Sequence, residues 1–195
     1  MSVENFIISN LEDQIKTINE LKKSKEVIEK IYLEIKNARN GNNKIFIMGN
    51  GGSASTSSHF VSDLLKTSLT KETNRTKAIS LTDNIPVVMA WANDTSFKNI
   101  FYSQLENFLE KGDIVIGISG SGNSENVIKA IEFANTKEAK TICLSGRDGG
   151  ELAKVSQLSL IIPNNDMLTI ETMHLLICHL LTSLLRSEGT PLFSY

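Results

Sequence analysis

At Lys44 the hydrophobic period of the chain changes, and this limits the fold more than any other feature. Before it, apolar residues recur at three- and four-residue steps: Ile8, Leu11, Ile15, Ile18 and Leu21, then Val27, Ile28, Ile31, Ile35 and Ala38. That spacing predicts two amphipathic helices within residues 4–40, with Gly41 as a C-cap. After it come short apolar runs at residues 44–48, 77–81, 113–118, 140–144 and 158–162, the last stopped by Pro163. Such runs read as buried strands. Helical patterns separate them at residues 55–66, from Pro86 toward Trp91, at 96–109 and at 125–135. A long helix from Met167 to Arg186 ends the series. Strands alternating with helices predict an α/β fold whose parallel sheet is covered on both faces. The two leading helices keep spare apolar stripes, which call for the chain's own core or for another subunit.

At 195 residues, one domain is expected, with no repeat or linker. Its 20 basic and 22 acidic side chains leave no basic excess for nucleic acid. Cys143 and Cys178 lie in apolar runs and read as reduced core thiols of a cytoplasmic protein. No apolar stretch is expected to reach the ~18–20 residues of a membrane span. Residues 1–5 lack a signal-peptide pattern.

Ligands of open parallel sheets bind beyond the carboxyl ends of the strands. Three loops there are rich in glycine and serine: residues 49–55, 119–124 and 145–150. In the second, Ser119, Ser121 and Ser124 alternate with Gly120 and Gly122 between a strand and a helix start. Close backbone approach, hydroxyl donors and free helix N–H groups suit a phosphate ester. A plain turn with one serine N-cap is the alternative, but it needs one such residue, not three. The first loop fits a dinucleotide fingerprint only loosely, since Asp83 comes late for a ribose contact. No Gly-Lys-Ser/Thr is present, which excludes a triphosphate loop.

His59 and Asp63 are four apart on a helical segment and share a face. The spacing permits joint metal binding, an acid/base pair, or a local contact without chemistry. On the last helix, Glu171 and His174 share a face, while His179 lies ~12 Å along the axis from Glu171. Two ligands of one zinc, each ~2 Å from the ion, cannot stand that far apart on one regular helix. Either the helix starts irregularly or one ligand belongs to another chain. His174 reads as structural.

Taken in order, these blocks resemble the phosphoheptose isomerases of the sugar isomerase (SIS) domain superfamily. The carrying residues are 49–54, His59, Asn93-Asp94, 117–124, 146–150, and His174 with His179. The resemblance implies one SIS domain over 1–195: N-terminal helices 1–42 packing between subunits, an α/β core over 43–187, and a tail at 188–195. It implies a flavodoxin-like three-layer sandwich with a five-stranded parallel sheet. It also implies a homotetramer with sites shared between chains, and one zinc per subunit. Members convert D-sedoheptulose 7-phosphate to D-glycero-D-manno-heptose 7-phosphate for surface polysaccharides such as lipopolysaccharide or capsule.

Carried over, the substrate contacts fall on Asn50, Gly51, Gly52, Ser53, Asn93, Asp94, Ser119, Gly120, Ser121, Ser124 and Glu171. The metal ligands fall on His59, Asp63, Glu171 and His179, and the catalytic roles on Asp63, His179 and Glu171. Three positions depart from the pattern: Asp63 stands for glutamate, Glu171 for glutamine and Gly120 for threonine. Asp63 reaches about 1.5 Å less far than glutamate, the length of one C–C bond. Glu171 adds a carboxylate, a better ligand for a dication, and could take over as base. Two other readings remain. One is a non-catalytic tetramer binding a replication-initiator protein, as in a relative lacking the acidic residue and the last histidine. The other is a domain acting on a different sugar phosphate, such as a hexose phosphate. The tail at 188–195 either docks on a neighbouring subunit through Leu192, Phe193 and Tyr195 or is disordered.

Overall fold

The computed structural model describes residues 1–194. Five strands form it: β1 (Lys44–Gly49), β2 (Lys77–Ser80), β3 (Ile114–Ser119), β4 (Lys140–Gly146) and β5 (Leu158–Ile162). The helices are α1 (Val3–Leu21), α2 (Lys25–Asn40), α3 (Gly52–Ser62), α4 (Ile85–Asp94), α5 (Tyr102–Phe108), α6 (Glu125–Thr136), α7 (Gly150–Val155) and α8 (Met167–Arg186). All strand pairs are parallel, in the order β2-β1-β3-β4-β5.

Side chains alternate across each strand, so the apolar runs feed two cores. Ile45, Ile47, Ile116, Ile142 and Leu144 point to the side covered by α2, α3 and α8, where they meet Ile35, Phe60 and Ile177. Phe46, Met48, Val115 and Cys143 point to the other side, against Leu105 of α5, Val127 and Ile131 of α6, and Leu152 of α7. Burial of each such side chain contributes about 1.5–3 kcal/mol. Both faces of the sheet are thereby closed, and its loop ends remain for ligands.

Four details differ from the sequence reading. The helix expected at 96–109 is broken: a 3₁₀ turn spans Phe97–Asn99, and α5 starts only at Tyr102. Ser96 caps that turn by accepting from the Lys98 N–H, so the short turn is locally complete. The short helix α7 was not signalled by periodicity. The helix expected at 55–66 starts earlier, at Gly52, and passes into a π turn at Asp63–Thr67. The tail also differs, as far as residue 194. It folds back on its own chain, with the Lys71 N–H donating to Thr190 O and the Leu192 N–H to Leu69 O. Tyr195 lies outside the described residues.

The expectation about membrane length also needs correction. By length and composition α8 is apolar enough to cross a bilayer. Here it is a core helix, with half of that stretch buried in the fold.

The leading helices are not fully used by the chain. Ser2 caps α1, accepting from the Asn5 N–H, but α1 buries only Thr17 and Leu21. Phe6, Leu11 and Ile15 stay 57%, 54% and 58% exposed. A cavity of about 670 Å³ is an apolar groove between α1–α2 and α8, lined by Ile18, Leu21, Ile28, Leu176, Leu180 and Leu184 among others. It lies apart from the glycine loops.

Candidate active site

Strand β1 pairs with β2 on one side and β3 on the other, while β3 continues to β4. The chain therefore leaves β1 and β3 in opposite directions, and a crevice opens between their carboxyl ends. Two loops line that crevice. After β1, Gly51 takes φ 54° and starts α3. After β3, residues 120–124 lead to Ser124, the N-cap of α6. Gly122 takes φ 67°, and a Cβ there would lie 2.0 Å from Gly149 O, so no other residue fits.

A cavity of about 240 Å³ occupies the crevice. Asn50, Ser53, Ser119, Gly120, Ser121, Ser124 and Glu171 line it, as expected, together with Ile118 and Met167. Ser119 Oγ stands 3.0 Å from Ser124 Oγ and 3.5 Å from Ser121 Oγ. Three hydroxyls thus converge at a helix N-terminus, a polar cradle for an anion. A Cβ on Gly120 would lie 2.3 Å from Met167 Sδ, so the methionine fills the place of a side chain at 120. A second cavity of about 330 Å³ shares Asn50 and Ser124 and extends toward Ser96, Phe97 and Lys98. Asn93 and Asp94, at the exposed end of α4, line neither cavity; Asn93 donates to Asp94 at 2.7 Å.

Asn126 was missed from the sequence. Its buried amide exchanges two hydrogen bonds of 2.9 Å with Asn50, tying the two loops together. The signal for it was weak, because an asparagine in a first helical turn is commonplace.

Helix α8 packs along α3 and the π turn. Glu171 abuts the first turn of α3: a Cβ on Gly52 would lie 2.3 Å from Glu171 Oε2. Further along, His179 Nε2 lies 3.2 Å from His59 Nε2 and 3.7 Å from Asp63 Oδ2. His59 Nε2 to Asp63 Oδ2 is 3.8 Å. Both imidazoles are about half exposed, while Asp63 is buried. Corners of a tetrahedron with ~2.05 Å metal bonds stand ~3.3 Å apart; the His–His spacing matches this, the two His–Asp spacings are somewhat wider, and the donor set is one that could hold a metal ion such as zinc. Three protein ligands is also the usual number at a catalytic zinc. Glu171 does not belong to this group within one chain. Helix α8 is regular over Met167–Arg186, which removes the irregular-start explanation of the Glu171–His179 spacing.

Burial pushes His174 down to about 4, opposed only in part by the nearby Ser145 backbone. Neither of its ring nitrogens makes a regular hydrogen bond among the described residues. It stays neutral, in keeping with a structural place. The Cys178 thiol is pushed far above its ordinary range, first by burial and then by the charge of Asp63.

Comparison with known proteins agrees with this geometry. The SIS domain family model matches residues 10–146. A probable phosphoheptose isomerase of Thermoplasma volcanium is 38% identical over 184 residues, covering 93% of each chain. The phosphoheptose isomerase of Helicobacter pylori is 44% identical over 154 residues, covering 78% of this chain and 79% of the relative. The solved phosphoheptose isomerase of Neisseria gonorrhoeae superposes with a TM-score of 0.88 at 27% identity, over 95% of this chain and all of that one.

Proposed function

From the fact that the chain belongs to the phosphoheptose isomerase family of SIS-domain aldose–ketose isomerases, we propose that it converts D-sedoheptulose 7-phosphate to D-glycero-D-manno-heptose 7-phosphate through a cis-enediol. The product would serve heptose synthesis for surface polysaccharide. The observation that carries the reading is the convergence of His59, Asp63 and His179 on the helix face that also brings Glu171 to the serine-lined cavity.

Ser119, Ser121 and Ser124 anchor the phosphate, with Gly51, Gly52, Ser53 and Asn50 shaping the sugar side; the expected contacts of Asn93 and Asp94 lie outside both cavities of the single chain. Binding energy spent there is remote from the reacting carbons. Glu171 and His179 are ~12 Å apart along α8. An extended seven-carbon sugar phosphate spans roughly 10 Å at ~1.2 Å per bond, comparable to that separation though slightly shorter. Asp63 moves the proton between C1 and C2, with Glu171 as the alternative base, and His179 serves ring opening and the hydroxyl protons. His59, Asp63 and His179 would hold a zinc ion, and Glu171 would join them only from another copy. When bound, the ion supplies Lewis acidity to the sugar oxygens.

The whole chain is read as one SIS domain in a cytoplasmic homotetramer. Three observations support this: the exposed stripe of α1, the apolar groove beside α8, and two free, buried cysteines. The non-catalytic alternative has less support, because Asp63 and His179 are both present and adjacent. The test is turnover of sedoheptulose 7-phosphate beside a panel of six-carbon ketose phosphates. Undiminished turnover by His179→Ala would sink the mechanism, and preference for a hexose phosphate would replace the substrate.

A further inference from the structure

The carboxylate of Asp63 has two neighbours of opposite potential charge, His59 and His179, each at more than hydrogen-bond distance. No hydrogen-bond donor of the described residues fixes it. Its place is therefore set by its backbone and by how that backbone lies against α8. Asp63 is also the residue at which α3 passes into the π turn, and its carbonyl accepts the wide-turn bond from the Ser68 N–H at 2.9 Å. A π turn is intrinsically rare and needs support.

The support comes from the end of the chain. Arg186 lies seven residues beyond His179 on α8, two turns along the same face. Its Nη1 donates to Thr67 O, the last carbonyl of the π turn, at 3.1 Å. Its Nη2 donates to Phe193 O in the returning tail. The tail is itself stapled to the segment after the turn through Leu69, Lys71 and the Thr70–Pro191 bridge. Lys66, within the turn, lies over the Phe193 ring at 5.3 Å. One guanidinium thus joins α8, the π turn and the tail. The spacing matches along both elements: from Gly52 to Thr67 and from Glu171 to Arg186 is the same number of residues.

We propose that Arg186, with the tail segment 188–193, is a positioning residue for Asp63: it holds the π turn so that the carboxylate stays in reach of His59 and His179. The inference rests on the reading of that trio as an ion-binding group. Without the clamp, Asp63 becomes the frayed last residue of α3 and its distance to His179 is no longer fixed.

The test uses the full-length protein and cobalt(II), followed by its visible absorption, together with steady-state kinetics. Arg186→Ala is expected to weaken cobalt binding about ten- to hundredfold, as loss of an outer support does elsewhere. It should also lower kcat while leaving KM for the sugar phosphate within about twofold, because the serine loop is untouched. Arg186→Lys keeps a donor without the fork, so it should fall between wild type and alanine and serves if the alanine variant does not fold. A lowered melting temperature with unchanged cobalt affinity in both variants overturns the clamp. If His179→Ala loses cobalt and the Arg186 variants keep it, only the clamp falls. If His179→Ala keeps cobalt as well, the ion-binding group falls and the clamp with it.

Discussion

Gly122→Ala separates two costs that a left-handed glycine usually combines. Gly51 and Gly122 both take a positive φ, 54° and 67°, and both lie in crevice loops; Gly51 has ψ −123°. Alanine held at such a φ costs on the order of 1–3 kcal/mol at either place. The surroundings differ. A Cβ on Gly51 meets nothing within 4 Å, whereas one on Gly122 lies 2.0 Å from Gly149 O and 2.5 Å from Gly149 C. Real Cβ atoms do not approach closer than 3.0 Å, so the 120–124 and 149–150 loops must part by 3.0 − 2.0, about 1 Å. Neither side can yield as a flexible side chain would, because the obstacle is backbone. At about 2–4 °C per kcal/mol for a chain of this size, Gly51→Ala should lower the melting temperature by about 2–12 °C. Gly122→Ala should lower it further. The same parting displaces Ser121 and Ser124, and a 1 Å misplacement in a positioning loop can cost about a hundredfold. The assay is thermal unfolding of both variants beside kcat/KM with the sugar phosphate. Equal melting temperatures, with wild-type KM for Gly122→Ala, would refute the argument.

Asn126→Ala removes both hydrogen bonds to Asn50 and should cost about 1–3 kcal/mol, raising KM more than it lowers kcat; an unchanged KM would show that the loops hold without it. Glu188→Ala strands the buried Arg39, which now pairs with it at 2.8 Å, and should destabilise by about 3–5 kcal/mol in denaturant titration. His174 makes stability depend on pH. Its folded pKa of about 4 lies below the ordinary 6.5, so the unfolded chain binds the extra proton first as pH falls. Stability should be full above pH 6.5 and decline by about 3 kcal/mol toward pH 4, from about 1.36 kcal/mol per pKa unit. His174→Phe should flatten that part of the profile measured by chemical denaturation, and an unaltered slope would assign it to other groups.

Strands and serine loops were legible because their signals are local: an apolar run, a glycine that frees the backbone, a helix start. The His59–Asp63 pairing is local too, four residues on one helix. The arrival of His179 is not, since 120 residues separate it from His59 and only the packing of α8 on α3 brings them together. The π turn was illegible for another reason. Residues 63–67 carry an ordinary helical pattern, and the extra residue per turn is selected by contacts with Thr67 and the tail instead of by the five residues themselves. The course of the tail along its own chain was illegible as well, because the segment it pairs with at Leu69–Glu72 has no pattern of its own. That pairing runs through the tail's backbone, and the Leu192 and Phe193 side chains stay 40% and 42% exposed.

Helix α8 explains why these distant choices had to agree. It spends one face on the sheet, through Ile170, Ile177, Leu181 and Leu185, and this burial sets its rotation. With rotation set, Glu171, His179 and Arg186 can only meet what lies along a single neighbouring ridge, near the start, middle and end of α3 and its π turn. A shift of one residue in either element would turn those side chains by about 100° and dissolve all three contacts together. The core residues of α8 therefore control the chemistry without touching it. Enlarging Gly146, whose missing Cβ leaves room for Ile170 at 2.5 Å, should push the N-terminal half of α8 outward. Gly146→Ala is expected to disturb Glu171 and the serine-lined cavity before it disturbs His179, so KM should rise while cobalt affinity holds. Loss of cobalt with an unchanged KM would mean that α8 does not pivot as a rigid rod.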